Sequence, residues 1–503
     1  MSSANRSQFD VVVVAAASFL QILIQFGFQV FMAGKFAATA ESDAYYAALI
    51  LPMTLAAIAT GSLTYVLVPE LVKRFEAKPD EDGWQLASLS GLATFLVGLI
   101  GSLVIYSAAE PICDLLGFER KETPGLLKIL SWQVLLTSLI TWGTAVHHGR
   151  HKFFAPALGG VLGTGAMLVL VIQFGAILGL EGVAWTMNMG SAISVFVSTV
   201  TLLPNLVWPA GQREVGTRML WQLGPLVAGA VILRFDPVVD RVLAERLAEE
   251  FGDGQTAYIH HAQRILMALI TIGTSSLAII AFPRLANAVR ERAEFVKEFS
   301  IAMRRTLLVI IPICFGLAVF SPEIIKDLLQ RGNWNAQDTE QLASLIVTML
   351  GMFAGASIGE ILARAFYVQG DTRTPTIVGA CALCVGLIAK FSLYMPLGIH
   401  GIGLGMSLYY LLSAGVMAIL LLRIYGWQAF MELPGSTVQA VVAAVGACGC
   451  SYVIYAIGVG RTWLAGQVGV VSFFGILLLL RNQDALLAVN VTVNRILRRE
   501  KSG

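Results

Sequence analysis

The stretch FFAPALGGVLGTGAMLVLVIQFGAIL, Phe153–Leu178, contains no charged residue and is longer than the roughly 20 residues a helix needs to cross a bilayer. VVVVAAASFLQILIQFGFQVFM, Val11–Met32, is equally free of charge. A backbone in lipid must satisfy its own hydrogen bonds, and no alternating strand-length pattern accompanies these runs, so both read as helices. Working outward, fourteen stretches apolar and long enough to cross a bilayer follow one another from 11–33 to 463–480, among them 45–68, 183–205, 216–234 and 258–282. Charged residues make up 13% of the chain, against about 25% in an ordinary soluble domain. The expectation is an all-α integral membrane protein of about 14 transmembrane helices, with its function inside the membrane.

The distribution of Lys and Arg orients the chain. Loops taken alternately hold 21 basic residues in the set containing both termini and 9 in the other, so both termini are expected in the cytoplasm. The basic run Arg495–Lys501 fits retention on that side, with contact to anionic lipid as the alternative. The polar start, Met1–Asp10, leads into a run too long for a signal-peptide core, which therefore counts as the first span. Six cysteines, including Cys381 and Cys384, lie in or near apolar spans without companion ligands and read as small packing residues.

An internal repeat organises the chain. Laying Ala44–Leu71 over Tyr258–Leu285 matches Ala48 with Ala262, Leu55 with Leu269, Thr60 with Thr274, Ser62 with Ser276 and Pro69 with Pro283. A glycine, a basic residue and a span-opening proline recur as Gly149, Arg150, Pro156 and as Gly370, Arg373, Pro375. Two like-oriented six-helix lobes are expected, residues 1–210 and 211–430, followed by two added helices and a basic tail, 431–503. Paired lobes of this kind are how alternating-access carriers are built.

The sequence holds no phosphate-binding loop of the GxxxxGK type, no HExxH and no credible nucleophile elbow, so the chain reads as a transporter rather than an enzyme. No cofactor or metal is expected. Ionisable residues at membrane depth are costly and become the functional candidates. Arg264, after His260 and His261, could hold a phosphate or carboxylate through its two-pronged guanidinium. Asp43 opens the second span, where a helix-end charge is the competing role. Glu360 and Arg364 lie four apart and should pair along one helix. Lys390 lies mid-span without an acidic neighbour in sequence, so it must find a carboxylate, face water or lose its proton. His147, His148 and His151 join Arg150 and Lys152 in a phosphate-attracting cytoplasmic loop. The outer loop 235–257 carries Asp236, Asp240, Glu245, Glu249 and Glu250 with periodic Leu and Ala, which suggests a surface helix.

SDAYYAALILP with LVPEL (Ser42–Leu71), GRHKFFAPAL (Gly149–Leu158), HHAQRILMALITIGTSSLAIIAFPRL (His260–Leu285), RGNWNAQDTEQLA (Arg331–Ala343) and ARAFYVQGDTRTP (Ala363–Pro375) resemble the MurJ (MviN) family of lipid II flippases. That family lies within the multidrug/oligosaccharidyl-lipid/polysaccharide exporter superfamily. The resemblance implies a cationic central cavity for the pyrophosphate and sugar of a lipid-linked glycan, and a groove beside the last two helices for its polyprenyl tail. By position it assigns substrate binding to Arg264 and Asp43; Gln25, Gln29 and His261 complete the candidate binding set, and Lys390, Asp236, Asp240, Glu360 and Arg364 are the candidates for coupling or gating. Where the family carries further charges this chain has Phe28, Gln29, Ala56 or Ala57, and Met267, so a related exopolysaccharide unit is the alternative cargo. A small-molecule antiporter of the same superfamily should show an acidic coupling residue deep in the first lobe, and a membrane glycosyl or acyl transferase a catalytic constellation on an outer loop. Neither is found. The expected setting is the bacterial cytoplasmic (inner) membrane. The expected partners are the polyprenyl-linked glycan lipid, the membrane lipids and, as a candidate protein partner, a glycan polymerase; no nucleic acid is expected.

Overall fold

Uninterrupted apolar sequence produces uninterrupted helix. The computed structural model describes residues 3–77, 81–208, 227, 229–231, 234–431, 433–456 and 462–486, and among these no strand occurs. The helices are, in chain order, α1 (Ser3–Phe36), α2 (Ala40–Glu76), α3 (Glu81–Ser107), α4 (Ala109–Leu116), α5 (Thr123–Leu130), α6 (Trp132–Gly149), α7 (Phe154–Leu170) and α8 (Ala176–Thr199). They continue with α9 (Asp236–Phe251), α10 (Gln255–Leu269), α11 (Ser276–Ala288), α12 (Arg292–Leu329), α13 (Ala336–Thr348), α14 (Leu350–Tyr367), α15 (Arg373–Leu397), α16 (Ile399–Tyr425), α17 (Leu433–Ala456) and α18 (Thr462–Leu479).

Among the described residues ten helical stretches are long and apolar enough to cross a membrane, or eleven when the bent pair α13–α14 counts as one. The expected fourteen are therefore not all reproduced. The stretch 216–234 falls largely outside the described residues. The stretch 183–205 corresponds to α8, which is broken near its start by Gly179 at φ 64°. The stretch 463–480 ends in a short apolar helix, Leu464–Leu479. A second correction concerns 235–257. It does form a helix, α9, but not a purely surface one: Val238, Asp240, Arg241, Leu243, Ala244, Glu245 and Leu247 are all buried.

The described chain groups into two compact units, one running to His260 and including Arg331–Asn335, the other comprising His261–Gln330 and the chain from Ala336 on. In the first, Thr39 and Ser42 form a capping box that starts α2, satisfying backbone donors that would otherwise be orphaned. Lipid tails are as apolar as leucine, so helix association in a membrane relies on close approach at small residues. Gly163 shows this, since a Cβ there would meet Gly190 O at 2.5 Å, and the Ser194 hydroxyl donates to Gly159 O at 3.0 Å across the α7–α8 contact. Gln133 bonds both Asn188, at 2.8 Å, and Ser191, at 3.0 Å, joining α6 to α8.

The second unit uses the same device. A Cβ on Gly355 would meet the Tyr410 backbone at 2.5 Å, and one on Gly401 would meet Leu393 O at 2.1 Å, so α14 and α15 both lie against α16 at backbone distance. Large apolar side chains such as Ile100, Phe196, Ile388 and Val471 are exposed at 60% or more. In water that would be an aggregation surface, whereas in a bilayer it is the lipid face.

Candidate functional site

A dense polar network in the first unit is centred on Asp43, whose side chain is fully buried. Its Oδ1 accepts the Ala257 N–H at 2.8 Å, and its Oδ2 accepts the Gly254 N–H at 2.7 Å and Arg120 Nη2 at 3.1 Å. Asp43 thus sits on the first turn of its own helix but caps a different one, α10. Carboxylates stabilise helix N-termini through the unsatisfied N–H groups and the macrodipole. The close approach demands glycine at 254, which has φ 94° and whose Cβ would lie 2.6 Å from Ala38 O.

Arg120, in the turn after α4, bridges three carboxylates: Asp43, Glu245 at 2.5 Å and Asp253 at 3.0 Å. Burial pushes its guanidinium pKa down, but Glu245, Asp43 and Asp253 together outweigh burial and hold it above its ordinary value. The Glu245 carboxyl is pushed up by burial, against the opposing pull of Arg120. Arg241, one turn before Glu245 and buried, is lowered to about 10 by desolvation, with Asp240 acting in the other direction. A polar cavity of about 440 Å³ is lined by Gly117, Glu119, Arg120, Glu245, Arg246 and Asp253. Nearby Tyr46 stacks on His260 with ring centroids 4.0 Å apart.

The other expected residues fall as follows. Gln25 is half-buried on α1 and Gln29 is buried. Gln29 Oε1 has no hydrogen-bond partner among the described residues. His261 is buried, and Arg264, one turn beyond His260, is exposed on α10. Asp236 is half-buried and Asp240 buried on α9. In the second unit Glu360 and Arg364 form the expected pair at 2.7 Å, and Ser275 adds a 2.8 Å hydrogen bond to the same carboxylate. Lys390 is fully buried, its stem lying in the groove left by Gly405. Phe28 and Ala56, where the resemblance would place charge, are both buried. An apolar cavity of about 370 Å³ lies between α12, α17 and α18, lined by residues including Leu308, Pro312, Cys448, Gly469 and Phe473.

Sequence reasoning missed Arg120 as a hub, and Glu245 and Asp253 as its partners. The one available signal was the spacing of Arg241 and Glu245 on α9, which puts a charge pair on the face that also carries Val238.

The family model described as lipid II flippase MurJ matches residues 32–475. The chain belongs to the MurJ family. A probable lipid II flippase MurJ of Aquifex aeolicus is 26% identical over 68% of this chain and 68% of its own length. Among solved structures, a lipid II flippase MurJ in an inward closed conformation aligns with a TM-score of 0.78 at 18% identity, covering 94% of this chain and 99% of that one. An inward-facing multidrug-resistance MATE transporter of the MOP superfamily aligns with a TM-score of 0.67 at 15% identity, covering 84% and 99%. These last two likenesses concern the fold. As a multi-pass member of the MurJ family, the protein is a transporter of the bacterial inner membrane.

Proposed function

We propose that the protein is an alternating-access flippase that carries a polyprenyl-pyrophosphate-linked glycan, lipid II in the first place, from the cytoplasmic to the outer leaflet. The observation that carries this reading is the family match over residues 32–475. The chemistry of the residues supports it. Arg264 is an exposed residue on a membrane-depth helix, and a guanidinium is suited to two-pronged binding of a phosphate. Gln29 holds a buried acceptor without a partner among the described residues, a group costing about 1–3 kcal/mol unless a ligand or water satisfies it. The apolar cavity against α17 and α18 has the character needed for an isoprenoid tail. The repeat supports two six-helix lobes, 1–210 and 211–430, that rock around the cargo, with both termini cytoplasmic. A glycan polymerase that consumes the delivered unit is the fitting protein partner.

A second cargo has one observation in its favour. Phe28 and Ala56 are buried and apolar at positions where the resemblance places charge, and fewer cationic donors suit a headgroup that is held mainly through its sugars, as in an exopolysaccharide unit.

The test is lipid II flipping in liposomes with Arg264→Ala. A charge-assisted hydrogen bond contributes about 1.5–3 kcal/mol, so affinity should fall by roughly tenfold or more while the protein still folds and inserts. Unchanged binding and flipping would remove Arg264 from the site, and a wild-type protein that flips an exopolysaccharide precursor but not lipid II would select the second cargo.

A further inference from the structure

The helix that carries Arg264 is not regular. Between α10 and α11 the six residues Ile270–Ser275 form a π-helical turn, inside a single membrane-crossing stretch, Gln255–Ala288. A π turn is one residue inserted into an α-helix; it loosens the carbonyl ladder locally and recurs at functional sites. In lipid a loosened carbonyl is expensive. Here the sequence supplies hydroxyls to the loosened backbone: Thr271 donates to Met267 O at 2.8 Å, Thr274 to Ile270 O at 3.0 Å and Ser276 to Ile272 O at 3.1 Å.

The far side of the turn is held firmly. With its one proton on Ile270 O, the Thr274 hydroxyl can accept from the Ser357 hydroxyl, 3.0 Å away. Ser275 donates to Glu360, which Arg364 fixes in turn. The start of α10 is held by Asp43 through the Gly254 and Ala257 N–H groups. A helix clamped at both ends, with one surplus residue between the clamps and side-chain donors for the carbonyls that the surplus loosens, is built to change register without stranding backbone groups in lipid.

We propose that Ile270–Ser275 is a convertible turn, π-helical in this state and α-helical in another, whose conversion rotates α10 relative to α11. Absorbing the extra residue into regular helix turns one side by about 100° and advances it by about 1.5 Å. Arg264 and His261 would change face together, while Glu360 and Arg364 hold α11 as the fixed reference. Conversion requires Asp43 to release the start of α10, which ties cargo handling to the Arg120 network. The inference rests on the flippase reading for its transport readout.

Deleting Gly273 from the full chain tests it, because removal of one residue from a π turn leaves a regular α-helix with the flanking faces in place. Binding of lipid II to detergent-purified protein and flipping in liposomes are measured side by side, with Arg264→Ala as the binding-deficient control. The expected result is binding within about twofold of wild type and flipping slowed by about tenfold or more, since an interaction needed only for turnover separates the two readouts. Flipping at the wild-type rate would show a merely accommodated insertion and overturn the proposal. So would loss of binding together with flipping in a protein that melts like wild type. Thr271→Val with Ser276→Ala is the second variant, should the deletion fail to fold. It removes two of the three supporting hydroxyls and should slow flipping with binding kept, and wild-type flipping there would equally overturn the proposal. Failure of the flippase reading is distinct, because then the wild type itself moves no lipid II.

Discussion

At the scale of single residues, Asp43 shows how a charge can be legible in sequence while its role is not. The position after Ser42 reads correctly as the opening turn of α2, but the carboxylate spends its bonds on Gly254, Ala257 and Arg120, residues 211, 214 and 77 positions away. No periodicity connects such partners, and so Arg120 was invisible as a hub. Glu360 and Arg364 were legible because their partnership is local, four residues apart on one helix. For Asp43→Ala the expectation follows from burial. The change strands two backbone donors and leaves Arg120 with one carboxylate fewer in a desolvated setting, and breaking a buried pair from one side costs about 3–5 kcal/mol. The thermal midpoint of the purified protein in detergent should fall clearly, and Asp43→Asn, which keeps an acceptor oxygen, should fall less. A midpoint unchanged in the alanine variant would mean that the cap contributes nothing to the fold.

At the scale of elements, hydropathy located the long helices because a lipid-facing helix and a buried one are both apolar. That pattern carries no information about irregularity inside a span, which is why neither the π turn at Ile270–Ser275 nor the one at Val171–Gly175 was foreseen. Helix α9 is the converse case. Its charges suggested a surface element, yet the face bearing Asp240, Arg241 and Glu245 is buried, because ion pairing within the first unit offsets the loss of water. The exposed end of α9 also provides the handle on orientation. The 21-to-9 excess of basic residues predicts the termini inside and α9 outside. A cysteine introduced at the exposed Glu250 should therefore react with a membrane-impermeant maleimide on intact cells. Labelling only after permeabilisation would invert the topology.

At the scale of the whole molecule, the open question is what drives the cycle, since the sequence carries no nucleotide-hydrolysing motif. Lys390 bears on this. It is fully buried in α15 against α16, where Gly405 makes room for its stem. The sequence resemblance implies cation ligands on this span, and counting back from Pro396 puts Gly386 and Lys390 at the expected positions. Glycine offers no side-chain ligand, and an ammonium about 4 Å from a sodium ion opposes it by roughly 4 kcal/mol even at an effective dielectric near 20. Lys390 is therefore proposed as a resident cation that takes the place of a transported one. Flipping in liposomes should proceed at the same rate when sodium is replaced by choline, and Lys390→Asn, which restores a neutral oxygen ligand, should slow flipping in both media. A wild-type rate that collapses without sodium would refute the resident-cation role, because the protein would then be binding the ion that Lys390 is argued to exclude.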